Sequence, residues 1–103
     1  MKLNKLFSVE KKIVLITGGS RGIGEMIASG FCANGAKVYI TARSELVVKE
    51  TANKLSDKYS CDCIGITSDI SSIEGIKNLS EAIKKDENKI DVLVNNAGAA
   101  WGA

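Results

Sequence analysis

Hydrophobic positions along this chain change their spacing repeatedly, and each change marks the edge of an element. Lys12-Ile13-Val14-Leu15-Ile16-Thr17 is an almost continuous β-branched and aliphatic run, the pattern of a strand covered on both faces in a parallel sheet. From Ile23 to Asn34 the period becomes helical, with Ile23, Ile27 and Phe31 as the expected inward stripe, and Asn34-Gly35 supplies a left-handed stop. Lys37-Val38-Tyr39-Ile40-Thr41-Ala42 is the second strand. Ser44 is the predicted cap of a helix running to about Lys58, with Val48, Ala52 and Leu55 inward. Cys63-Ile64-Gly65-Ile66-Thr67 is the third strand. Ser71 and Glu74 read as a capping box opening a helix whose Ile76, Leu79 and Ile83 face inward, and Ile90-Asp91-Val92-Leu93-Val94-Asn95 is the fourth strand.

Alternating strands and helices with short connections predict an α/β fold: a Rossmann-type parallel sheet with flanking helices and right-handed crossovers. The chain ends at Ala103, a few residues after the fourth strand, so one edge of that strand is expected to lack a neighbour. The expectation is therefore a single domain truncated after its fourth strand, of which residues 1–103 are the N-terminal part. A domain of this length buries only about two-thirds of its unfolded surface, which leaves a narrow stability margin.

Composition removes several function classes. The 14 basic and 12 acidic residues nearly balance and are dispersed, with short pairs at Lys11-Lys12 and Lys84-Lys85, so no nucleic-acid-binding face is expected. No run approaches the ~20 apolar residues of a membrane span, and Met1 to Glu10 lacks the apolar core of a signal peptide. Cys32, Cys61 and Cys63 show no CxxC spacing, and the chain has no histidine, so free thiols in a reducing compartment are expected and no metal site. The expected location is cytoplasmic.

The candidate chemistry lies in Thr17-Gly18-Gly19-Ser20-Arg21-Gly22-Ile23-Gly24, between the first strand and the first helix. Gly18 allows a tight exit from the strand, Gly22 lets backbone N–H groups approach a pyrophosphate, and Gly24 lets the helix pack closely on the sheet. The helix N-terminus then offers unpaired donors and a positive dipole end to phosphates. A glycine pattern alone is weak; its position between strand and helix makes dinucleotide binding the stronger reading over an ordinary turn.

At the end of the second strand a carboxylate would bond the ribose hydroxyls of NAD, whereas an arginine accepts the 2′-phosphate of NADP. The chain has Thr41-Ala42-Arg43-Ser44 there, which favours NADP, and Arg21 can reach the same region. The plainer alternative is that Arg43 is a solvated charge beside a helix start. Asp69 could accept the exocyclic amine of adenine while Ile70 covers the ring, or it could be a turn residue before a helix; the residues alone leave both open. Asn95-Asn96-Ala97-Gly98 ends the fourth strand, where small residues admit a cofactor and an amide can tie strand ends together.

Taken together these residues resemble the short-chain dehydrogenase/reductase family, over nearly the whole chain. Thr17-Gly18-x-x-x-Gly22-Ile23-Gly24 is similar to its TGxxxGxG loop, Asn95-Asn96-Ala97-Gly98 to its NNAG motif, and Asp69 stands where its adenine-contacting aspartate is found. Gly19-Ser20-Arg21 and Ala42-Arg43 resemble the NADPH-preferring members. Phe7-Ser8-Val9, Gly22 to Ala28 and Ala97 to Ala103 look closest to 3-oxoacyl-thioester reductases of the rhamnolipid-pathway type and to gluconate 5-dehydrogenase-like members. The glycine spacing departs from the TGxxGxxG of the extended epimerases.

The resemblance implies seven parallel strands in the whole protein, dimers or tetramers, and hydride transfer between the nicotinamide and a small carbonyl or alcohol substrate. It implies Gly18, Ser20, Arg21, Gly22, Ile23, Gly24, Arg43, Asp69, Ile70, Asn95, Ala97 and Gly98 as cofactor-binding residues. The family's acid/base is a tyrosine with a lysine four residues later. Tyr39 is followed at that spacing by Arg43 and Tyr59 by Cys63, so no catalytic residue carries over. The expected role of this chain is cofactor binding without catalysis, within a reductase of a ketone; the alternative is a standalone NADP-binding module. Trp101 could line a substrate mouth or pack half-buried.

Overall fold

The computed structural model describes residues 9–96. Its order is β1 (Ile13–Thr17), α1 (Gly22–Ala33), β2 (Lys37–Ala42), α2 (Glu45–Tyr59), β3 (Cys63–Thr67), α3 (Ile73–Lys84) and β4 (Val92–Asn95). All three strand pairings are parallel, in the order β3-β2-β1-β4. The chain thus moves outward from β1 to β3 and returns to the other side of β1. That reversal between β1 and β4 leaves a crevice at the carboxyl ends of the strands, where open α/β sheets bind ligands. This is the expected Rossmann-type sheet with helices on both faces.

Strand alternation divides the core. Val14, Ile16, Val38 and Ile40 point to one face and are sealed by Ala28 and Cys32 of α1 and by Val48, Ala52 and Leu55 of α2. Leu15 and Tyr39 point to the other and pack on Leu79 and Ile83 of α3. Apolar burial on both faces is why the strand sequences show no polar alternation.

Four details differ from the sequence expectation. The inward stripe of α1 is Gly24, Ala28 and Cys32, whereas Ile23 is 67% exposed and Ile27 and Phe31 are half-buried. Small residues let this helix approach the sheet, and a stripe of larger ones would hold it away. Ser72, not Ser71, caps α3: its Oγ accepts from the Gly75 N–H at 3.0 Å, and Glu74 is not its capping-box partner. In the same helix Ile76 is 52% exposed. Finally, β4 begins at Val92 rather than Ile90, because the Asp91 carboxylate takes the Ile13 N–H at 2.8 Å where a strand carbonyl would otherwise bond.

The expected caps elsewhere hold. Ser44 Oγ accepts from the Val47 N–H at 3.3 Å to open α2, and Gly35 follows α1 at φ 86°. Among the described residues no helix is long and apolar enough to cross a membrane.

Candidate cofactor-binding site

The loop between β1 and α1 turns because Gly18 and Gly22 both adopt positive φ, 71° and 61°, a backbone shape that side chains with a Cβ resist. Hydroxyls then fasten it. The Gly18 N–H donates to Thr41 Oγ1 at 3.3 Å, joining the loop to the end of β2. The Asn96 N–H donates to Thr17 Oγ1 at 3.0 Å, and that hydroxyl donates to Asn95 Oδ1 at 3.1 Å, joining the ends of β1 and β4. Asn96 Nδ2 donates to the Gly18 carbonyl at 3.2 Å.

Gly24 sits under this network. A Cβ there would collide with the Gly18 carbonyl and lie 2.6 Å from Asn96 Nδ2, so α1 rests directly on the loop as well as on the sheet. The effect is to aim the first turn of α1 at the crevice. Arg21 at the helix start provides no side-chain cap, whereas Ser44 and Ser72 cap α2 and α3. The leading N–H groups of α1 therefore remain available to an anion, with the helix dipole behind them.

A cleft of about 420 Å³ opens beside the loop, walled by Gly18, Ser20, Arg21, Thr41, Ala42, Arg43, Ser68, Asp69, Ile70, Ser71 and Asn96. Arg21 and Arg43 are both exposed on it, and no carboxylate stands at the end of β2. Asp69 Oδ1 accepts from the Ser71 hydroxyl at 2.5 Å and the Ser71 N–H at 3.0 Å. Those two bonds, with the Arg43 charge, hold its carboxyl below the usual aspartate value. Asp69 is thus a turn-forming residue and a wall of the cleft at once. Ile70 is half-buried against Leu15, Tyr39, Leu79 and Ile83 and borders the same space.

Gly18, Ser20, Arg21, Arg43, Asp69 and Ile70 are therefore brought together, with Gly22, Ile23 and Gly24 forming the helix start beside them. Asn95 is exposed and bonded to Thr17, while Asn96 is the amide that borders the cleft. Ala97, Gly98 and Trp101 lie outside the described residues. Sequence reasoning missed Thr17, Thr41 and Thr51 as supports; Thr51 Oγ1 on α2 donates to the Ser20 carbonyl at 2.9 Å. A signal for two of them existed, since Thr17 and Thr41 are the hydroxyls that close the apolar runs of residues 13–16 and 38–40.

Neither tyrosine is placed for proton transfer to this cleft. Tyr39 is buried, and its hydroxyl donates to Glu87 Oε2 at 2.7 Å in the segment following α3, at the opposite end of the sheet. Burial, then the Glu87 bond, pushes its pKa up to about 12. Tyr59 ends α2 beside Cys61 and packs against the core. Among the described residues no cluster of Cys, Asp and Glu could hold a metal ion.

The short chain dehydrogenase family profile matches residues 12–103. A rhamnolipid-biosynthesis 3-oxoacyl-acyl-carrier-protein reductase of Pseudomonas aeruginosa is 46% identical over 101 residues, 98% of this chain and 39% of the relative. The FabG 3-oxoacyl-acyl-carrier-protein reductase of Escherichia coli is 40% identical over 89 residues, 86% of this chain and 35% of the relative. Among solved structures, the Pseudomonas aeruginosa RhlG/NADP active-site complex superposes with a TM-score of 0.85 at 40% identity, covering 97% of this chain and 41% of that one. The L-sorbose reductase of Gluconobacter frateurii with NADPH and L-sorbose gives 0.85 at 34% identity, covering 88% and 35%. This chain spans about two-fifths of the length of the first of these relatives.

Proposed function

Because the chain belongs to the short-chain dehydrogenase family, we propose that it carries the NADP(H)-binding part of an oxidoreductase that reduces a ketone to a secondary alcohol. The observation that carries this reading is the pair of exposed guanidiniums, Arg21 and Arg43, on the cleft beside an uncapped helix N-terminus. Two guanidiniums suit a 2′-phosphate dianion, and the lack of a carboxylate at the end of β2 removes the usual ligand of a free ribose diol.

The cofactor supplies the hydride. The residues of this chain bind and orient it: the N–H groups of the loop and of the first turn of α1 take the pyrophosphate, Arg43 and Arg21 the 2′-phosphate, Asp69 the adenine amine, and Ile70 the face of that ring. Asn95, Ala97 and Gly98 would flank it farther along. The alkoxide left by hydride addition needs a proton, and no described residue is placed to deliver one. We assign this chain cofactor binding only. Identity to two 3-oxoacyl-acyl-carrier-protein reductases supports a 3-oxoacyl thioester as the substrate of the whole protein. A cytoplasmic homo-oligomer without nucleic-acid or membrane partners completes the reading.

Titration of the full chain with NADPH and NADH tests it. NADPH should bind at least about tenfold more tightly, the value of one charged phosphate contact. Equal affinities would remove the NADP assignment, and steady oxidation of NADPH with a panel of ketones would remove the binding-only role.

A further inference from the structure

We infer that Thr51 is a positioning residue that fixes the spacing of the Arg21 and Arg43 guanidiniums and so sets the preference for a 2′-phosphorylated nucleotide, an inference that rests on the NADP(H) reading above. The two arginines belong to different elements: Arg21 lies in the glycine loop, and Arg43 directly precedes the Ser44 cap of α2. Their separation is set by the pairing of β1 with β2, the strand that ends one residue before Arg43, and by how α2 docks on the loop. Thr51 lies about two turns along α2 from Ser44, and its hydroxyl donates to the Ser20 carbonyl at 2.9 Å in a buried bond. The helix whose leading end carries Arg43 is thereby bonded to the residue preceding Arg21.

Other ties on Ser20 and α2 do not replace this one. Gly19 presses on Ile40, with space for no Cβ, which pins the segment from the sheet side alone. The Lys54–Glu25 ion pair joins α2 to the first turn of α1, but both side chains retain access to water, where such pairs hold geometry weakly. Removing the Thr51 hydroxyl leaves a carbonyl in a buried place without a donor. The Ser20 carbonyl lies between Gly18 and Gly22, so that segment is the part that adjusts when its donor is lost. That shift moves Arg21 relative to Arg43, and like charges favour a wider gap. A phosphate bridging both loses contact, whereas a nucleotide without the 2′-phosphate does not use the pair.

The test measures binding of adenosine 2′,5′-bisphosphate and of 5′-AMP to the full chain by calorimetry. Thr51→Val should weaken the bisphosphate about fivefold, the worth of one buried hydrogen bond, and 5′-AMP less than twofold, while Thr51→Ser keeps the wild-type ratio. Equal losses for both nucleotides, or none, would overturn the inference while leaving the NADP(H) reading intact. If the wild-type chain itself binds both probes equally, the NADP(H) reading fails and this inference falls with it. If Thr51→Val and Thr51→Ala both lose native near-ultraviolet dichroism while Thr51→Ser keeps it, the hydroxyl determines folding and the positioning role is overturned.

Discussion

Asn96 reaches back from the end of β4 to the carbonyl of Gly18, its Nδ2 donating at 3.2 Å. The glycine loop is therefore held by a residue 78 positions away, and its shape depends on β4 being docked. Asn96→Ala should cost about 1 kcal/mol of stability through the lost bond. It should weaken NADPH and NADH by the same factor, since the bond holds the Gly18 end of the loop, on the side assigned to the pyrophosphate that both share, and not Arg21 three residues on. Parallel titrations of the two cofactors check this; a loss confined to NADPH would contradict it.

The glycines of the loop should differ in tolerance. Gly24→Ala places a methyl against the backbone carbonyl of Gly18, which cannot yield cheaply, and displaces the Asn96 amide from it. A loss of about 1–3 kcal/mol in urea unfolding, with cofactor binding abolished, is expected. Gly22→Ala meets nothing within 4 Å and pays only for its φ of 61°, about 1 kcal/mol. Similar unfolding midpoints for the two variants would contradict the packing argument.

Arg43→Asp exchanges a phosphate partner for a carboxylate suited to ribose hydroxyls. NADPH binding should weaken by about 1–3 kcal/mol, with NADH little changed. Fluorescence titration with each cofactor separates this outcome from equal losses, which would mean that Arg43 only supports the fold.

At the opposite end of the sheet, Glu87 accepts from Tyr39 at 2.7 Å and pairs with Lys37 at 2.5 Å, its side chain only 9% exposed. The Lys37 bond, then the Tyr39 bond, lowers the Glu87 pKa below its ordinary value. The resulting stability is present above the unfolded glutamate pKa and is lost as pH falls through the depressed folded value. Lys37 and Tyr39 are shifted upward, Tyr39 to about 12, so their contribution is lost only as alkaline pH rises through the folded values. Glu87→Gln should flatten the acid limb of Tm between about pH 3 and 6. An unchanged acid limb would assign it instead to Asp91 and Asp69, whose pKa values are also lowered.

Cys32 and Cys61 should be poor nucleophiles. Burial first, then the neighbouring Cys32, pushes Cys61 up to about 12, and the neighbouring Cys63 thiol, then burial, raises Cys32. Only the thiolate reacts. Alkylation by iodoacetamide at neutral pH should be much slower at these two thiols than in urea, as read by mass spectrometry of labelled peptides. Prompt native labelling at Cys61 would contradict the burial argument.

Much of the architecture was legible because it is local. β-Branched runs bounded by Asn34-Gly35 and Ser44 specify strands and stops through backbone preferences that need no partner. The turn from Thr17 to Gly24 was legible for the same reason, since strand, turn and helix start follow in sequence. What the residues by themselves determined was thus the order of elements, their parallel arrangement and the place of the candidate cleft.

Only the tertiary structure decided which atoms hold that site. The α1 stripe was misread because Ile23, Ile27 and Phe31 have the right period, yet close approach to the sheet selects Gly24, Ala28 and Cys32. Ser72 displaced Ser71 as the α3 cap because Ser71 belongs to the Asp69 turn, which its N–H and hydroxyl both close, and the helix starts only at Ile73. The bonds of Thr51 to Ser20 and of Asn96 to Gly18 join residues 31 and 78 positions apart. Periodicity reports neighbours along the chain, and such bonds exist only once the sheet has brought distant segments within about 3 Å of one another.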